Sequence, residues 1–582
     1  LSSKTSLGVH PEEMHLNDKN CMEQFYKELH YDSVMKNYTV ALPWKPNKWS
    51  LATNENLALK RMQQLQRKFM QNPKFGNAYA SKIQELLTLN FIEEVTPDIE
   101  LGDLPHYLAH SGVLKDNNNT TNLRIVMDGS CKANASSLSL NDCLYTGPNL
   151  IGDLLGCLLG FRCDRFALTA DIEKAFLHLQ LRIQDRDSMR FFPTNIFDPT
   201  SHLKVFRYKV VVFGASCSPF LLAAVIKKHI EVNVQDIKFK NSLRNLFVDN
   251  LLATKETEEE LLEFYHQARE LFAEAGFNLR QWASNSKLVV NAAKRDGVWD
   301  DSLKVKILGH FWSPKDDTIE YKAEIIKNTK YTKRIALRIN NQIFDPFGFI
   351  IPTEIRCRLL IQKLWQHNLD WDKSFFRMTE LKEEWDKIVE ENIIALKVKF
   401  PRQLKTPKNV QLHIMSDASR DAYGAVAYFT IPKCQDYPEG LSQIVYTSGK
   451  ITKRIPVMDT IPRLELMGLT VAANLIRSIK EAYPTVEPMR KVLWCDSKVV
   501  LAQCSSLNND VAFVHNRVIK IRHLAKGFEI RHINGKENPA DLITKPIKAQ
   551  KLINDNFWWQ GPTWLKEPSI WEKPSQYMLD LQ

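Results

Sequence analysis

The sequence predicts a multidomain α+β protein, and three features lead to that expectation. The chain has 582 residues, a length typical of several domains of roughly 100–200 residues each. Short strand and helix patterns alternate from Leu123 to about Pro314, whereas residues 320–405 are mixed and rich in lysine. Near Val410 a new strand, hairpin, helix, strand and helix begin, which indicates a separate α/β domain. The two halves differ in their pattern of strands and helices, which suggests two activities.

The two ends of the chain differ in pattern from the middle. Residues 1–50 look irregular and end in the proline-containing run from Pro43 to Pro46. Residues 54–93 are expected to be helical, because apolar side chains recur there at near-helical spacing. These side chains are Leu57, Leu59, Met62, Leu65 and Phe69. The last segment, Phe557 to Trp571, is dense in tryptophan.

The charge and the cysteines limit the classes of function. The 78 basic and 67 acidic residues give a formal net charge of +11, which permits a polyanionic partner without proving one. The ten cysteines form no C-x-x-C pair, so neither a zinc ribbon nor a redox motif is indicated, and a reduced, intracellular setting is expected. The longest apolar run, Val210 to Ile226, is interrupted by glycine, serine and proline. It predicts a buried turn and helix, and no membrane partner is expected.

A first candidate metal ligand is Asp171. Phe166 to Thr169 form a strand pattern that delivers this acid at the strand end. Mg²⁺ is a hard cation that prefers carboxylate oxygens, and the exposed end of a buried strand is a suitable place for them. The feature is weak when it is taken alone.

The stretch NLFVDNLLAT places Asp249 and Asn250 between two short apolar runs. It fits a plain hairpin turn, since both side chains tolerate turn geometry. It also fits a metal site that has lost one of two carboxylates. Thr257 and Glu260 then form a capping box that starts an amphipathic helix stopped by Gly276. Two acids brought together by such units can hold two Mg²⁺ ions for in-line phosphoryl transfer.

The second half contains four acids at the end of a strand, on a helix, at the end of a second strand and near a last helix. They are Asp417, Glu465, Asp496 and Asp541. Each acid alone fits a helix cap or a surface position, but the ordered set favours a functional site. The order resembles the ribonuclease H metal site, in which four acids hold two Mg²⁺ ions that activate water against an RNA phosphodiester.

Eight short pieces of the sequence occur in a characteristic order. They are LRIVMDGS (123–130), SLNDCLYTGPNL (139–150), DIEKAF (171–176), FGASCSPFLL (213–222), FVDN (247–250), GFNLRQWASNS (276–286), ILGHFW (307–312) and FDPFGFIIP (344–352). Their order resembles a reverse transcriptase, and their residues resemble the Bel/Pao group of LTR retrotransposons. The resemblance covers nearly the whole chain in the right order, although each piece alone is modest.

The resemblance implies a right-hand polymerase with fingers, palm and a thumb-like connection, followed by an α/β ribonuclease H-like domain. It divides the chain into 1–55, an irregular segment after the protease region; 56–320, fingers and palm; 321–405, thumb or connection; 406–548, ribonuclease H; and 549–582, a tryptophan-rich tail leading towards integrase. The protease and integrase of the same polyprotein are expected partners, and the expected location is an intracellular, cytoplasmic particle or the nucleus.

The resemblance also implies roles for single residues of the polymerase half. Asp171 and Asp249 would hold the catalytic metals, Mg²⁺ or Mn²⁺, with Asn250 beside them. Further residues would contact the incoming deoxynucleoside triphosphate: Lys115, Arg124, Phe176, Gly214 and Ser218. Phe176 would exclude a ribose 2′-hydroxyl, and the alternative for it is an ordinary core phenylalanine.

Two further roles follow from the resemblance. Gly309 and Trp312 would belong to the strand that grips the primer end, where aromatic side chains can stack. His532 lies near the place of a mobile histidine that helps the product leave, and a solvated loop histidine is the alternative. The expected partners are an RNA template, a DNA primer and their hybrid.

The chain departs from the family pattern at one position. The family has two acids where this chain has Asp249 and Asn250. Loss of one preorganised electrostatic group costs on the order of 10²–10³ in rate. The expected function is RNA-directed DNA polymerase with ribonuclease H activity. The alternative is a degenerate or domesticated element protein that binds nucleic acid, with a weakened polymerase and an intact ribonuclease H.

Overall fold

The computed structural model of the chain describes residues 16–117, 120–193, 203–322, 325, 330–453, 460–506, 511–571 and 578–581, with the backbone alone for 114–117, 120–122 and 578. Helices and strands alternate along this length, so the predicted mixed α+β architecture is confirmed. In the described ranges, no helix combines the length and the apolar character that a membrane span requires. All ten cysteines are free thiols.

The first region combines two long helices with short strands. Its elements are α1 (Leu16–Glu28), β1 (His30–Asp32), β2 (Asn37–Val40), α2 (Glu55–Gln71), α3 (Pro73–Thr88), β3 (Ile92–Glu94), β4 (Ala109–Asn117), β5 (Thr120–Asp128) and α4 (Leu140–Cys143). An irregular start was predicted, but residues 16–40 contain α1, β1 and β2. Cys21 and Phe25 from this segment, and Leu42 just after it, are buried in the core. Short elements that are stabilised by distant partners carry little periodicity of their own.

The helical prediction for residues 54–93 is confirmed, with an interruption that the pattern did not show. α2 ends at Gln71, and the Asn72 side chain then accepts a hydrogen bond from the backbone N–H of Phe75 and caps α3. Pro73 occupies the first turn of α3, where its missing N–H costs nothing and its fixed φ suits a helix. The apolar spacing continues across this break, so it could not reveal that two helices are present.

The central region is built on a four-stranded antiparallel sheet. Its elements are α5 (Leu154–Gly160), β6 (Phe166–Ile172), β7 (Gln180–Leu181), α6 (Ile183–Arg186), β8 (Arg190–Phe191), β9 (Phe206–Tyr208), α7 (Ser218–Asn233), α8 (Ile237–Ser242), β10 (Leu246–Phe247), β11 (Asn250–Lys255), α9 (Glu258–Glu274), β12 (Leu279–Ser284) and α10 (Lys287–Arg295). The strand order β10-β11-β6-β12 places β6 in the interior of the sheet. The predicted capping box of Thr257 and Glu260 is present at the start of α9.

A connecting region follows, with one small sheet and three helices. Its elements are β13 (Val305–Ile307), β14 (His310–Ser313), β15 (Thr318–Tyr321), α11 (Lys333–Gln342), α12 (Ile351–Gln366), α13 (Thr379–Ala395) and β16 (Lys399–Pro401). The strands β13 to β16 form one antiparallel sheet in sequence order. The sheet therefore joins residues from both sides of the three helices.

The last region has a six-stranded mixed sheet in the order β19-β18-β17-β20-β21-β22. Its elements are β17 (Gln411–Ala418), β18 (Ala422–Ile431), β19 (Leu441–Ile451), α14 (Ile461–Ala482), β20 (Arg490–Cys495), α15 (Lys498–Ser505), α16 (Ala512–Leu524), β21 (Glu529–His532), α17 (Asp541–Thr544), α18 (Ala549–Ile553), α19 (Asn556–Gln560), α20 (Pro568–Trp571) and β22 (Met578–Asp580). β17, β20 and β21 are parallel neighbours. Their carboxyl ends therefore lie at the same edge of the sheet.

The tryptophan-rich tail packs on this last region. Trp558 is fully buried, and the hydroxyl of Tyr428 on β18 donates to its carbonyl at 2.7 Å. β22 adds a strand beside β21. The boundary predicted after residue 548 therefore does not coincide with a break in packing.

Asp345 is a buried carboxyl in the connecting region. It accepts hydrogen bonds from the Tyr321 hydroxyl at 2.8 Å and from the backbone N–H groups of Phe349 and Ile350 at 3.1 and 2.9 Å. Burial raises its pKa to about 6, from an ordinary value of 3.8. The folded protein therefore holds a proton on Asp345 more tightly than the unfolded chain does.

An Asp345→Asn variant is expected to remove one pH-dependent part of the stability. The folded protein binds more protons than the unfolded chain between the two pKa values, so this stability is complete below about pH 4 and is lost as the pH rises through about 6. We expect the melting temperature of the natural protein, relative to that of the variant, to fall between about pH 4 and pH 7. Thermal unfolding at several pH values measures this, and a constant difference would contradict it.

Candidate active sites

The Asp249 hairpin is a tight turn between β10 and β11. Phe247 pairs with Asn250, so Val248 and Asp249 form the two-residue loop. Val248 has a φ of 57°, which is unusual for a β-branched residue and costs free energy. Strained conformations of this kind are found mainly at functional sites, where the surrounding structure enforces them.

The structure brings Asp249 and Asp171 together. Asn250 on β11 is the direct neighbour of Asp171 on β6, and the backbone N–H of Ile172 donates to the carbonyl of Asp249 at 2.8 Å. Both acids line one cavity of about 250 Å³, which we call the palm cavity. Its polar and aromatic lining consists of Lys82, Arg124, Asp171, Lys174, Tyr208, Phe213 and Asp249.

Asn250 contacts the neighbouring acid directly. Its side-chain amide donates a hydrogen bond to Asp249 Oδ1 at 2.8 Å. A carboxylate at position 250 could not donate this bond and would add a negative charge beside Asp249. The Asn250 side chain therefore occupies one lone-pair site of Asp249. It also leaves the site with one negative charge fewer than an aspartate at position 250 would give.

Three basic residues line the palm cavity. Arg124 on β5 was expected from the sequence, whereas Lys82 on α3 and Lys174 after β6 were not. Lys174 has a φ of 47° and interacts with Glu85 and Glu173. Lys115 lies on β4, and its side chain is outside the described residues. Positive charge around two acids suits an anionic phosphate ligand with its cations.

The structure places the ring of Phe176 in the core. Its ring is only 8% exposed and packs edge-on against Phe213, with the centroids 4.8 Å apart. Phe213 is 39% exposed and is the phenylalanine that lines the palm cavity. The core alternative for Phe176 therefore describes the structure. Phe213 stands in the quoted FGASCSPFLL motif, so the signal was present but was assigned to its neighbours.

Ser218 and Trp312 are also not available to a ligand. Ser218 is buried, and its hydroxyl donates to the carbonyl of Val212 at 2.7 Å. Trp312 is fully buried, and its indole N–H donates to Asp317 at 3.0 Å. Both side chains are used in internal packing, so any contribution of Ser218 and Trp312 to nucleotide or primer binding would come from the backbone of their segments. Gly309, with a φ of 95°, leaves room for the ring of Phe344.

Gly214 supports the palm cavity through its backbone. Its φ is 111°, and a Cβ atom at this position would lie 1.9 Å from the carbonyl oxygen of Met127 on β5. Phe213 immediately precedes it and accepts a hydrogen bond from the N–H of Met127 through its carbonyl. The glycine thus permits the close approach that brings Phe213 beside β5.

Gly214→Ala is expected to lower the stability by about 1–3 kcal/mol, because both the φ angle and the clash with Met127 oppose a side chain. The matched control is Gly297→Ala. Gly297 also has a positive φ, of 70°, but open space surrounds its Cβ position. Thermal unfolding of both variants separates the clash from the backbone strain, and equal losses of melting temperature would contradict the role of the Met127 contact.

The second carboxylate cluster lies at one edge of the six-stranded sheet. Asp417 lies near the end of β17 and is 7% exposed, and Asp496 directly follows the parallel neighbour β20. Burial raises the pKa of Asp417 to about 7, and the negative charges of Asp496 and Asp541 add to the rise. Burial also raises the pKa of Asp496. The two carboxyls interact, so protonation of one affects protonation of the other.

Glu465 reaches the cluster from α14. The Ser497 hydroxyl, next to Asp496, donates to Glu465 Oε2 at 2.6 Å. The helix lies directly on β17, because a Cβ atom at Gly468 would be only 2.9 Å from the carbonyl oxygen of Asp417. The structure therefore brings the helix acid beside the two strand acids.

Asp541 and His532 complete the surroundings of this cluster. Asp541 is the first residue of α17 and forms an ion pair with Lys545 at 2.6 Å. The Thr544 hydroxyl donates to Asp417. His532 is the last residue of β21, where it pairs with Cys495, the residue that precedes Asp496. Thr544 and Lys545 were not singled out from the sequence, although both lie within four residues of Asp541.

The two acid groups suit divalent cations that are shared with a substrate. Across the described residues, no three His, Cys, Asp or Glu side chains converge closely enough to hold a metal alone. Mg²⁺ commonly keeps several waters and binds one or two carboxylates together with substrate phosphates. The repulsion between Asp417 and Asp496 is relieved by a cation between them. Asp171 with Asp249, and Asp417 with Asp496, therefore fit such ions.

Comparisons with known proteins identify two domains in the chain. The family model for a reverse transcriptase (RNA-dependent DNA polymerase) matches residues 148–311, and the model for a Pao retrotransposon-like RNaseH-like domain matches residues 332–497. No curated protein sequence matches the chain.

Solved structures share the fold at low sequence identity. A foamy viral protease–reverse transcriptase in complex with dsDNA is 13% identical, with a TM-score of 0.50, over 80% of this chain and 84% of that chain. The dRH form of that enzyme in complex with ds DNA is 14% identical, with a TM-score of 0.51, over 78% of this chain and 68% of that chain. The chain therefore combines a reverse transcriptase domain with an RNaseH-like domain of the Pao retrotransposon type, and the resemblance to the Bel/Pao group is confirmed.

Proposed function

We propose that this RNA-directed DNA polymerase adds deoxynucleotides at the palm cavity and cuts the RNA strand of the resulting hybrid at the Asp417 cluster. The observation that carries the proposal is the placement of Asp171 and Asp249 side by side in one cavity with three basic residues. A nucleotide triphosphate brings negative charge that the basic residues match, and the carboxylates attract its cations.

Each residue of the palm cavity has a proposed task. Mg²⁺ or Mn²⁺ ions bound there supply charge neutralisation for an in-line displacement at phosphorus. Asp171 and Asp249 hold these ions, and Arg124, Lys82 and Lys174 bind and orient the triphosphate. Phe213 presents its exposed ring edge to the sugar of the nucleotide and thereby replaces Phe176 as the proposed aromatic selector.

The RNaseH-like half has a matching set of tasks. Asp417, Glu465, Asp496 and Asp541 hold two divalent cations, which supply an activated water and stabilise the leaving oxygen. Lys545 and Thr544 hold Asp541 and Asp417 in place. His532, beside Asp496, is placed to assist release of the cut product. The proposed partners are an RNA template, a DNA primer, their hybrid and, in the same polyprotein, a protease and an integrase.

The alternative function is a degenerate or domesticated element protein with a weak polymerase and an intact ribonuclease H. The contact between Asn250 and Asp249 favours this alternative, because it engages a proposed metal ligand. Extension of a DNA primer on an RNA template with Mg²⁺ or Mn²⁺, and cleavage of an RNA–DNA hybrid, separate the two. Extension and cleavage support the proposal, and cleavage alone supports the alternative. Salt-sensitive binding without either reaction overturns both.

A further inference from the structure

Arg162 is a buried arginine of the palm region whose side chain extends into the RNaseH-like domain. It lies between α5 and β6 and is only 2% exposed. Its guanidinium donates to the carbonyls of Val445 at 3.1 Å, Ile444 at 3.3 Å and Arg402 at 3.2 Å. Burial lowers its pKa to about 10, so it stays charged at neutral pH. All three acceptors are backbone oxygens, and two of them belong to β19.

The two β19 carbonyls lie at an irregularity of the sheet. Ala427 pairs with Tyr446, but the next residue, Tyr428, pairs with Ile444. Val445 is therefore one extra residue on β19, which defines a β-bulge. A bulge disrupts the hydrogen-bond ladder and redirects backbone groups. Here the redirected carbonyls receive the guanidinium of Arg162, so the bulge forms a socket for a side chain from the palm region.

Three aromatic rings close this socket. The Arg162 guanidinium lies 5.2 to 5.4 Å from the ring centroids of Phe347, Phe349 and Phe400. These rings come from the connecting region and exclude water from the charge. A buried cation that loses its acceptors is strongly destabilised, so partial detachment of the socket is unfavourable. The junction therefore favours one docked arrangement.

Neighbouring contacts hold the same junction. The backbone N–H of Leu404 donates to the carbonyl of Arg162 at 2.8 Å. Arg402 donates to the carbonyls of Phe161 and Arg165 at 2.8 and 2.7 Å. The helix α5 packs against α14, the helix that carries Glu465. The palm region thus touches both a strand and an active-site helix of the RNaseH-like domain.

We infer that Arg162, seated in the bulge at Val445, is a positioning residue that fixes the distance along a bound hybrid between nucleotide addition and RNA cleavage. The inference rests on the proposed function. A hybrid behaves as a stiff rod over the length of one protein, so two rigidly joined sites cut at a fixed distance from the primer end. A lysine ammonium cannot replace the planar guanidinium, which donates to the two successive carbonyls of Ile444 and Val445.

The test uses the full chain and a labelled RNA template annealed to a recessed DNA primer. Cut positions are mapped from the primer 3′ end in the natural protein and in Arg162→Lys. Phe349→Leu is a milder second variant that weakens the socket without removing a hydrogen bond. Arg207→Lys is the matched control, since Arg207 is 1% exposed but binds Glu93 and Asp187 away from the junction.

The two junction variants are expected to widen the window of cut positions at least about twofold, because a loosened interface permits domain motion. Cleavage of a hybrid without a recessed primer end is expected to stay unchanged, as is the cut pattern of Arg207→Lys. An unchanged window in folded Arg162→Lys and Phe349→Leu overturns the inference.

A measurement without activity separates this inference from the proposed function. If the natural protein neither extends nor cuts, the proposed function fails, and hydrogen exchange of the β19 amides tests the socket alone. We expect exchange to be at least about tenfold faster in Arg162→Lys than in Arg207→Lys. Equal exchange in these two variants overturns the role of Arg162.

Discussion

Replacing Asn250 with aspartate is expected to raise the rate of primer extension on an RNA template by about 10²–10³-fold, the range found for one preorganised electrostatic group. Two effects act in the same direction. The substitution removes the amide that donates to Asp249 Oδ1, and it adds a negative charge beside Asp171 and Asp249. Both changes strengthen the attraction of divalent cations to the palm cavity. Single-turnover extension at saturating nucleotide measures the effect directly.

Asn250→Ala is the matched control for this prediction. It also frees Asp249 Oδ1 but adds no charge, so it separates the hydrogen bond from the electrostatic contribution. We expect a much smaller change in extension than in Asn250→Asp. Cleavage of an RNA–DNA hybrid serves as an internal reference and is expected to be unchanged in both variants. Equal extension rates for the natural protein and Asn250→Asp would contradict the importance of the missing charge.

The positions of the acids were accessible from the sequence because local rules determine them. A buried strand followed by an acid predicts Asp171 at the end of β6, and the tight turn at Asp249 follows from two short apolar runs. The start of α9 follows from a capping box of two residues three positions apart, Thr257 and Glu260. These features depend on neighbours within one element, so periodicity and turn chemistry are sufficient to find them.

The remaining features depend on partners that are distant in sequence. The ring of Trp312 packs edge-on against Phe161, a contact that no local pattern records. Which of Phe176 and Phe213 lines the palm cavity is likewise decided by distant packing. From the sequence alone, Arg162 cannot be distinguished from an ordinary surface arginine, because its partner, the bulge at Val445, is distant in sequence. Family resemblance located the motifs, but packing decided which of their residues face a ligand.

Asp417→Asn is expected to reduce cleavage of an RNA–DNA hybrid on the order of 10³-fold, because metal-assisted stabilisation of the transition state is worth several kcal/mol. Asp417 lies centrally in its cluster, near Asp496 and Asp541, and an amide there offers a single neutral oxygen as a ligand. Primer extension is expected to be unaffected, since the palm cavity lies on a different sheet. Rates with a labelled RNA strand in excess Mg²⁺ measure the loss, with Asp436→Asn, an exposed loop carboxylate, as the control.

The same substitution is expected to leave the metal-free protein at least as stable as the natural chain. Burial raises the pKa of Asp417 to about 7, so the fold disfavours its ionised form. An amide at this position cannot ionise, and its oxygen still accepts the hydrogen bond from the Thr544 hydroxyl. Added Mg²⁺ then stabilises the natural protein through binding to the folded state, whereas Asp417→Asn gains less. Melting temperatures with and without Mg²⁺ measure both effects. Equal hybrid cleavage by Asp417→Asn and Asp436→Asn would contradict the assignment of this cluster, whereas a loss of cleavage without a loss of stability places the function of Asp417 in chemistry.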